Sequence, residues 1–395
     1  MFMNFRRIRK CQCMQLLTTG LLLCVVMVCW DELDHHMVSH MRSYTYRYLV
    51  NSYDFLNSSY ALSSSHHNRK DGHYDADGRF GNYPYLINHP GKCGGGGGHG
   101  KSLDDVLLLL FVKSSPENFE RRQAIRDTWG NENFVWSELG ASVRLVFVLG
   151  VHPDVGQRSR VQSALLQEDQ ACGDLIQQNF LDTFHNLTSK LILQFHWGHE
   201  YCRQARFLMS ADDDIFVHMP NLVKYLLRQS GAKDLWVGHV HRGAPPVRRK
   251  DSKYHVPHDL YPWPSYPDYT AGAGYVVSGD VAAKIYHATL LLNSSMYIDD
   301  VFMGICAKAM GVSPQEHMYF SGEGKTPYHP CIYYHMITSH GHTTDVHSLW
   351  QAATDPTVYT NSGGFFSNLY CTTVKVALLC LPYYQNTYSC MAAFT

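Results

Sequence analysis

The sequence predicts an α/β globular domain carried behind an N-terminal transmembrane helix and a stem. Three observations predict it: a charge-free apolar run over residues 11–30, a polar stretch over residues 31–101, and a strand–helix–strand alternation from Val106 onward. The chain has 395 residues, 45% hydrophobic and 17% charged, an ordinary balance for one large domain or two small ones. Its formal net charge of -1 provides no basic excess for phosphate contacts, so nucleic acid is not an expected partner.

The N-terminal element is justified by length and flanking charge. Arg6, Arg7, Arg9 and Lys10 precede the run, Leu21–Val28 forms its centre, and Asp31, Glu32 and Asp34 follow it. About 20 apolar residues span a bilayer as a helix. Basic residues before the helix place residues 1–10 in the cytosol and the rest beyond the membrane. A cleaved signal peptide is the alternative, but Met27–Val28–Cys29–Trp30 provides no small-x-small cleavage pattern, and Trp30 suits an interfacial anchor. The expected division is tail 1–10, signal-anchor 11–30, luminal stem 31–101 and luminal domain 102–395. Eight of the 12 cysteines (Cys93, Cys172, Cys202, Cys306, Cys331, Cys371, Cys380 and Cys390) lie on the luminal side, where disulfides persist. None forms a CxxC pair, and spacing alone leaves their pairing open. The sequons at Asn57, Asn186 and Asn293 agree with that topology.

The stem is rich in Tyr, His and Ser and contains the glycine run Gly94–Gly98. Such composition buries no core and reads as a flexible linker. The domain then opens at Val106–Val112, a continuous apolar run suited to a strand covered on both faces. Arg121–Trp129 reads as a helix, Val143–Gly150 as a second strand, Asn186–Tyr201 as a helix with Leu187, Leu191 and Phe195 at spacing four, and Ala205–Ser210 as a third strand. Strand, helix, strand is the unit of parallel α/β sheets.

Four segments could carry chemistry. Asp212–Asp213–Asp214 directly follows the third strand, where open α/β sheets bind ligands. In extended chain Asp212 and Asp214 point to one side and Asp213 to the other, so a hard divalent cation would relieve their repulsion; a solvated acidic turn is the alternative. Asp299–Asp300 stands before the helical spacing Val301, Ile305, Ala309. One of these acids either caps the helix or serves as a general base at its entrance. The glycines of Tyr269–Ser278 permit tight turns and close approach to a ligand. Trp263 and Tyr269, in an aromatic, Pro-rich stretch, could stack on sugar rings or pack on the core. His340 and His342 are candidates to complete an Asp/Asp metal site.

In order, Arg121–Gly130, Asp182–Lys190, the aspartate triplet, Gly272–Ser278 and Asp299–Phe302 resemble the motifs of the β-1,3-glycosyltransferase family, over about residues 104 to 350. Met41–Tyr48, His218–Leu222, His241–Pro246, Phe320–Cys331 and the tail through Phe394 are similar to the branch of that family that adds N-acetylglucosamine to a lactose-headed glycolipid. The glycine-rich stretch near residues 71–101 is longer than that pattern. The resemblance implies a metal-dependent, Rossmann-like GT-A fold, a UDP-sugar donor, Mn²⁺ and inversion at the anomeric carbon. It implies Asp212, Asp214 and His340 as metal ligands, and Asp300, beside Asp299, as the base. Arg121, Arg122, Arg126, Trp129 and Asp213 would bind the nucleotide-sugar, and Trp263, Tyr269 and Gly274 would contact acceptor or donor sugar.

The expected reaction is inverting transfer of N-acetylglucosamine from UDP-GlcNAc to the 3-hydroxyl of a terminal galactose on a glycolipid, in the Golgi membrane with the catalytic domain luminal. The alternatives are transfer of galactose, action on protein-linked glycans, and a catalytically dead glycan-binding membrane protein.

Overall fold

The computed structural model describes residues 18–20, 83–94, 106–322, 324–327, 329–355, 365–380 and 387–394. The chain divides into two units, Met1–Ser52 and Tyr53–Thr395. In the first, only the helical residues 18–20 are described, so the expected span 11–30 lies otherwise outside the described residues. Asn57 and most of the glycine run lie outside them too. Among the described residues no helix is long and apolar enough to cross a membrane.

The second unit begins with β1 (Tyr85–Ile87) and β2 (Leu108–Lys113), followed by α1 (Phe119–Asp127) and α2 (Glu132–Leu139). Next come β3 (Val143–Val151), α3 (Val155–Cys172), β4 (Leu175–Leu181), α4 (Leu187–Tyr201) and β5 (Phe207–Asp212). The second half contains β6 (Ile215–Val217), α5 (Met219–Arg228), β7 (Trp236–His241), β8 (Tyr269–Ser278), α6 (Gly279–Leu291) and α7 (Asp299–Ala309). It ends with β9 (Gln315–Glu316), α8 (Pro330–Tyr333), β10 (Thr338–His340), α9 (Val346–Thr354) and α10 (Phe365–Leu379).

Strand β2 lies central because every residue of it is buried, and each such apolar side chain stabilises the fold by about 1.5–3 kcal/mol. The main sheet runs β1-β4-β3-β2-β5-β8-β7-β9. β4, β3, β2 and β5 are parallel, whereas β8 is antiparallel to both β5 and β7. The chain order reverses between β2 and β5, which opens a crevice at their carboxyl ends. β6 and β10 form a separate two-stranded antiparallel sheet.

The structure departs from the sequence reading in three places. Residues 83–94 are not stem. β1 extends the sheet edge by pairing with β4, and Cys93 is disulfide-bonded to Cys202 at the end of α4. The domain therefore begins before the expected boundary at residue 101. The Tyr269–Ser278 segment, whose glycines permit tight turns, forms no turn but a ten-residue strand. Finally, Asp299 and Asp300 do not cap α7: Ile298 holds the N-cap position, and the two acids fill the first helical positions. Cys331–Cys371 and Cys380–Cys390 tie down the C-terminal elements, and Cys172 and Cys306 are thiols.

Candidate active site

The crevice at the β2/β5 switch holds a cavity of about 520 Å³. Register builds its floor. Lys113 and Asp212 are paired neighbours at the ends of parallel strands β2 and β5, and the Lys113 ammonium lies 3.0 Å from Asp212 Oδ1. Asp212, Asp213, Asp214, Asp299, Asp300 and His340 all line the same cavity.

His340 reaches the triplet through the small sheet. β10 pairs with β6 so that His340 sits opposite Ile215, the residue after Asp214. His340 Nε2 is 3.4 Å from Asp214 Oδ1. One ligand atom each from Asp212, Asp214 and His340 falls within 4.8 Å of the others. This oxygen, oxygen, nitrogen set fits a divalent cation. Burial would raise the Asp214 carboxyl, but hydrogen bonding and charge from His340, with Arg121, hold it below its ordinary value. Burial pushes Asp212 up, with Asp299 and Asp214 adding repulsion against the pull of Lys113. A pair so crowded by negative charge gains from a cation.

Asp213 has a different environment. It accepts from Ser114 Oγ (2.7 Å), Asn118 Nδ2 (2.8 Å) and Arg121 (2.8 Å). Asp213 and Asp214 lie in a turn rather than in extended chain; Asp213 lines the same cavity but is satisfied by protein donors and stands outside the ligand cluster.

The second acidic pair is divided by Lys113. This buried ammonium donates to Asp299 Oδ2 at 2.8 Å and to Gly272 O at 3.0 Å. Burial alone would lower its pKa, but Asp212 and Asp299 hold it well above the ordinary value. Asp300 receives no such partner. Its Oδ1 accepts from the N–H of Val301, and no donor among the described residues reaches Oδ2. Burial, then the charge of Asp299, push its carboxyl up to about 7, where a general base works best. Gly272 faces this pair: a Cβ there would lie 3.4 Å from Asp300 Cβ and 3.6 Å from Lys113 Nζ.

Several expected site residues lie elsewhere. Arg121 joins the site through Asp213, but Arg122, Arg126 and Trp129 do not line the cavity. Arg122 is fully buried in a bidentate pair with Glu168 (2.8 and 2.7 Å). Arg126 bonds Glu168 and Asp174 and lies over the Phe147 ring, and Trp129 is fully buried in the core. Helical spacing puts Arg122, Ile125 and Arg126 on the inward face of α1, and Trp129 follows in the turn beyond its end. Gly274 is a packing residue, since a Cβ there would meet Ile215 Cδ1 at 2.7 Å. Trp263 does not line the cavity. Tyr269 sits behind His241, which does (ring centroids 5.1 Å). His342 is buried and bonds Ser339 Oγ (2.7 Å) and Asp345 (3.2 Å), so it supports the loop rather than the ligand set. The side chain of Asn186 donates to Leu181 O, and that of Asn293 accepts from the Ser295 hydroxyl.

The sequence reading missed Lys113, Lys190, Phe184, His241, Lys253 and Tyr254, all of which line the cavity. Lys190, buried on α4, pairs with Asp182 (2.8 Å) and donates to Ser114 O (2.6 Å). It fastens the ends of β2 and β4 together. A lysine inside an otherwise apolar helical face was the available signal.

Comparison with known proteins agrees with this geometry. Residues 120–318 match the family model described as Galactosyltransferase. The chain is 61% identical to lactosylceramide 1,3-N-acetyl-beta-D-glucosaminyltransferase A of Danio rerio over the full length of both chains. It is 55% and 54% identical to the lactosylceramide 1,3-N-acetyl-beta-D-glucosaminyltransferases of Rattus norvegicus and Homo sapiens, covering 100% of this chain and 99% of each relative. The motif order, the matched family model and these full-length relatives lead to one conclusion: the chain belongs to the galactosyltransferase family of β-1,3-glycosyltransferases.

Proposed function

We propose that this protein transfers N-acetylglucosamine from UDP-GlcNAc to the 3-hydroxyl of the terminal galactose of lactosylceramide, with inversion, on a GT-A type domain. The names of the full-length relatives support the donor sugar and the acceptor. The observation that carries the chemistry is one cavity holding both a ligand cluster, Asp212, Asp214 and His340, and a separate carboxylate, Asp300, tuned toward neutrality. The cluster would hold Mn²⁺, which when bound neutralises the donor diphosphate and the departing UDP. Asp300 Oδ2 takes the proton of the acceptor 3-hydroxyl as that oxygen attacks the anomeric carbon. Lys113 keeps Asp299 occupied, so the neighbouring carboxylate stays available to the acceptor. Arg121, fixed by Asp213, lies on the side of the cavity that would receive the nucleotide. An N-terminal signal-anchor would hold the domain in the Golgi lumen as a single-pass type II protein.

The test is a donor and acceptor panel with the full-length protein in detergent. The expected result is transfer from UDP-GlcNAc to lactosylceramide, giving a β-1,3 linkage, lost in chelator and restored by Mn²⁺. Preferential transfer from UDP-galactose would make it a galactosyltransferase, and preference for protein-linked glycans would replace the acceptor. Binding of glycan with neither transfer nor donor hydrolysis would make it a lectin. Full activity in excess chelator would remove the metal from the account.

A further inference from the structure

One part of the cavity wall differs in kind from the rest. Around Asp213 and Lys190 it is charged and hydroxylated, whereas at Phe184 and Tyr254 it is aromatic. Phe184 stands in the single 3₁₀ turn between β4 and α4. Tyr254 comes from the long connection between β7 and β8. Their ring centroids are 5.2 Å apart at 80°, and Lys253 Nζ lies 5.2 Å above the Phe184 ring and 4.9 Å above the Tyr254 ring. Tyr254 keeps 43% of its surface exposed, although both rings line the cavity.

The connection that presents Tyr254 is braced. Arg248 donates to the carbonyls of Val256 (2.7 Å), Tyr261 (2.7 Å) and Trp263 (3.1 Å). Val256 N–H donates to Val247 O at 2.8 Å, and Val247 also bridges His255. Lys253 and Tyr254 are therefore held at the tip of a closed loop, in place before any ligand arrives. Phe184 also contacts Tyr297 (6.4 Å between centroids), three residues before Asp300. The aromatic wall thus runs toward the entrance of α7, where the acceptor hydroxyl must arrive.

We propose that Phe184 and Tyr254 form the platform for the acceptor's β-galactoside, with the Lys253 ammonium donating to its hydroxyls. Galactose suits such a wall. Its axial 4-hydroxyl leaves the C–H groups of C3, C4 and C5 together on one apolar face, which an aromatic ring can cover, while the opposite edge keeps its hydroxyls for polar partners. A ring seated there can direct its 3-hydroxyl along the wall to Asp300. The competing occupant is the uracil of the donor, which also stacks on aromatics. The polar side of the cavity, with Lys190, Asp213 and the serines after β2, fits a nucleotide better. This inference rests on the galactoside acceptor proposed above and assigns its binding surface.

The test uses Phe184→Ala, Tyr254→Ala and the conservative Tyr254→Phe in the full-length protein, each checked for an unchanged thermal midpoint. The alanine variants are expected to raise the KM for a lactose-headed acceptor about tenfold, the order of one lost aromatic contact. KM for UDP-GlcNAc and acceptor-free donor hydrolysis should stay within about twofold, and Tyr254→Phe should behave as wild type. A rise in donor KM with an unchanged acceptor KM would assign the rings to uracil and overturn the proposal. Lactose binding followed by saturation-transfer NMR in the presence of UDP and Mn²⁺ gives a readout that needs no turnover. Binding that weakens in Tyr254→Ala supports the platform even if the wild type fails to transfer to lactose, a failure that would count against the proposed reaction alone. Binding unchanged in both alanine variants overturns the platform whatever the reaction.

Discussion

Asp214 and Asp300 face the same cavity, yet their carboxyls are shifted in opposite directions. Asp214 lies beside His340 and Arg121 and is held below its ordinary value. Asp300 is pushed up to about 7 by burial first and then by Asp299, whose compensating lysine is already engaged. Both belong to short acidic runs that look alike in sequence. Burial raises both, and what lets it prevail at Asp300 but not at Asp214 is the allocation of nearby positive charge. His340 comes to the triplet through the β6/β10 pairing, whereas Lys113 bonds Asp299 and leaves Asp300 without a cation of its own. The site thus offers one carboxylate pair suited to a metal and one carboxylate suited to a proton.

That contrast can be broken at either end, and the largest effect is expected at the triplet. Asp212→Ala or Asp214→Ala should bring transfer below detection and abolish the Mn²⁺-dependent part of UDP binding measured by calorimetry. Metal-dependent binding that survives in both variants would place the cation elsewhere.

Lys113→Met attacks both pairs at once. Removing a buried ammonium that serves the buried Asp299 and the partly exposed Asp212 should destabilise the fold by about 3–5 kcal/mol, read in denaturant unfolding, and should depress turnover beyond what Tm explains. Near-native stability and turnover together would show that Lys113 does not organise the site.

The neighbouring arginines sharpen the same point on the nucleotide side. Arg122→Ala should lose about 3–5 kcal/mol of stability because Glu168 is left buried with a partner missing, with little change in donor KM among molecules that remain folded. Arg121, 36% exposed, should do the reverse, raising donor KM several-fold with stability changed by about 1 kcal/mol or less. Reversed phenotypes would mean that the cavity is misassigned.

A pH slope in chelator tests the other end of the contrast. A carboxyl whose folded pKa is raised from 3.8 to about 7 binds its proton more tightly when folded. Its contribution is therefore fully present below about pH 4 and is lost as pH rises toward 7. Asp300→Asn should consequently gain Tm relative to wild type as pH rises from 4 to 8. A difference that is flat with pH would contradict the raised value.

Much of this was legible in the sequence, for identifiable reasons. An uninterrupted apolar run marked β2 and predominantly apolar runs marked β3 and β5, and the position of the triplet after the third of them marked the crevice. From spacing alone His340 was one of two candidate histidines; the family resemblance singled it out, and the register of β10 on β6 supplies the physical reason. Lys113 was not legible. It looks like the polar end of a strand, and its partner Asp299 lies 186 residues away. The assignment of Arg122, Arg126 and Trp129 to the nucleotide followed the family motif and overlooked helical periodicity, which groups Arg122 and Arg126 with Ile125 on a buried face; Trp129 is buried from the turn beyond the helix. The early start of the domain was hidden because β1 is three residues long and sits in polar surroundings.

The central claim is that Asp300, rather than Asp299, takes the acceptor proton while Asp212, Asp214 and His340 hold the metal. The most direct measurement is turnover of Asp300→Asn and Asp299→Asn, with Mn²⁺-UDP affinity determined on the same preparations. The expected result is a loss of roughly 10²–10⁴ in turnover for Asp300→Asn, with Mn²⁺-UDP affinity kept within about twofold and a milder loss for Asp299→Asn. Near-native turnover in Asp300→Asn, or collapse confined to Asp299→Asn, would contradict it.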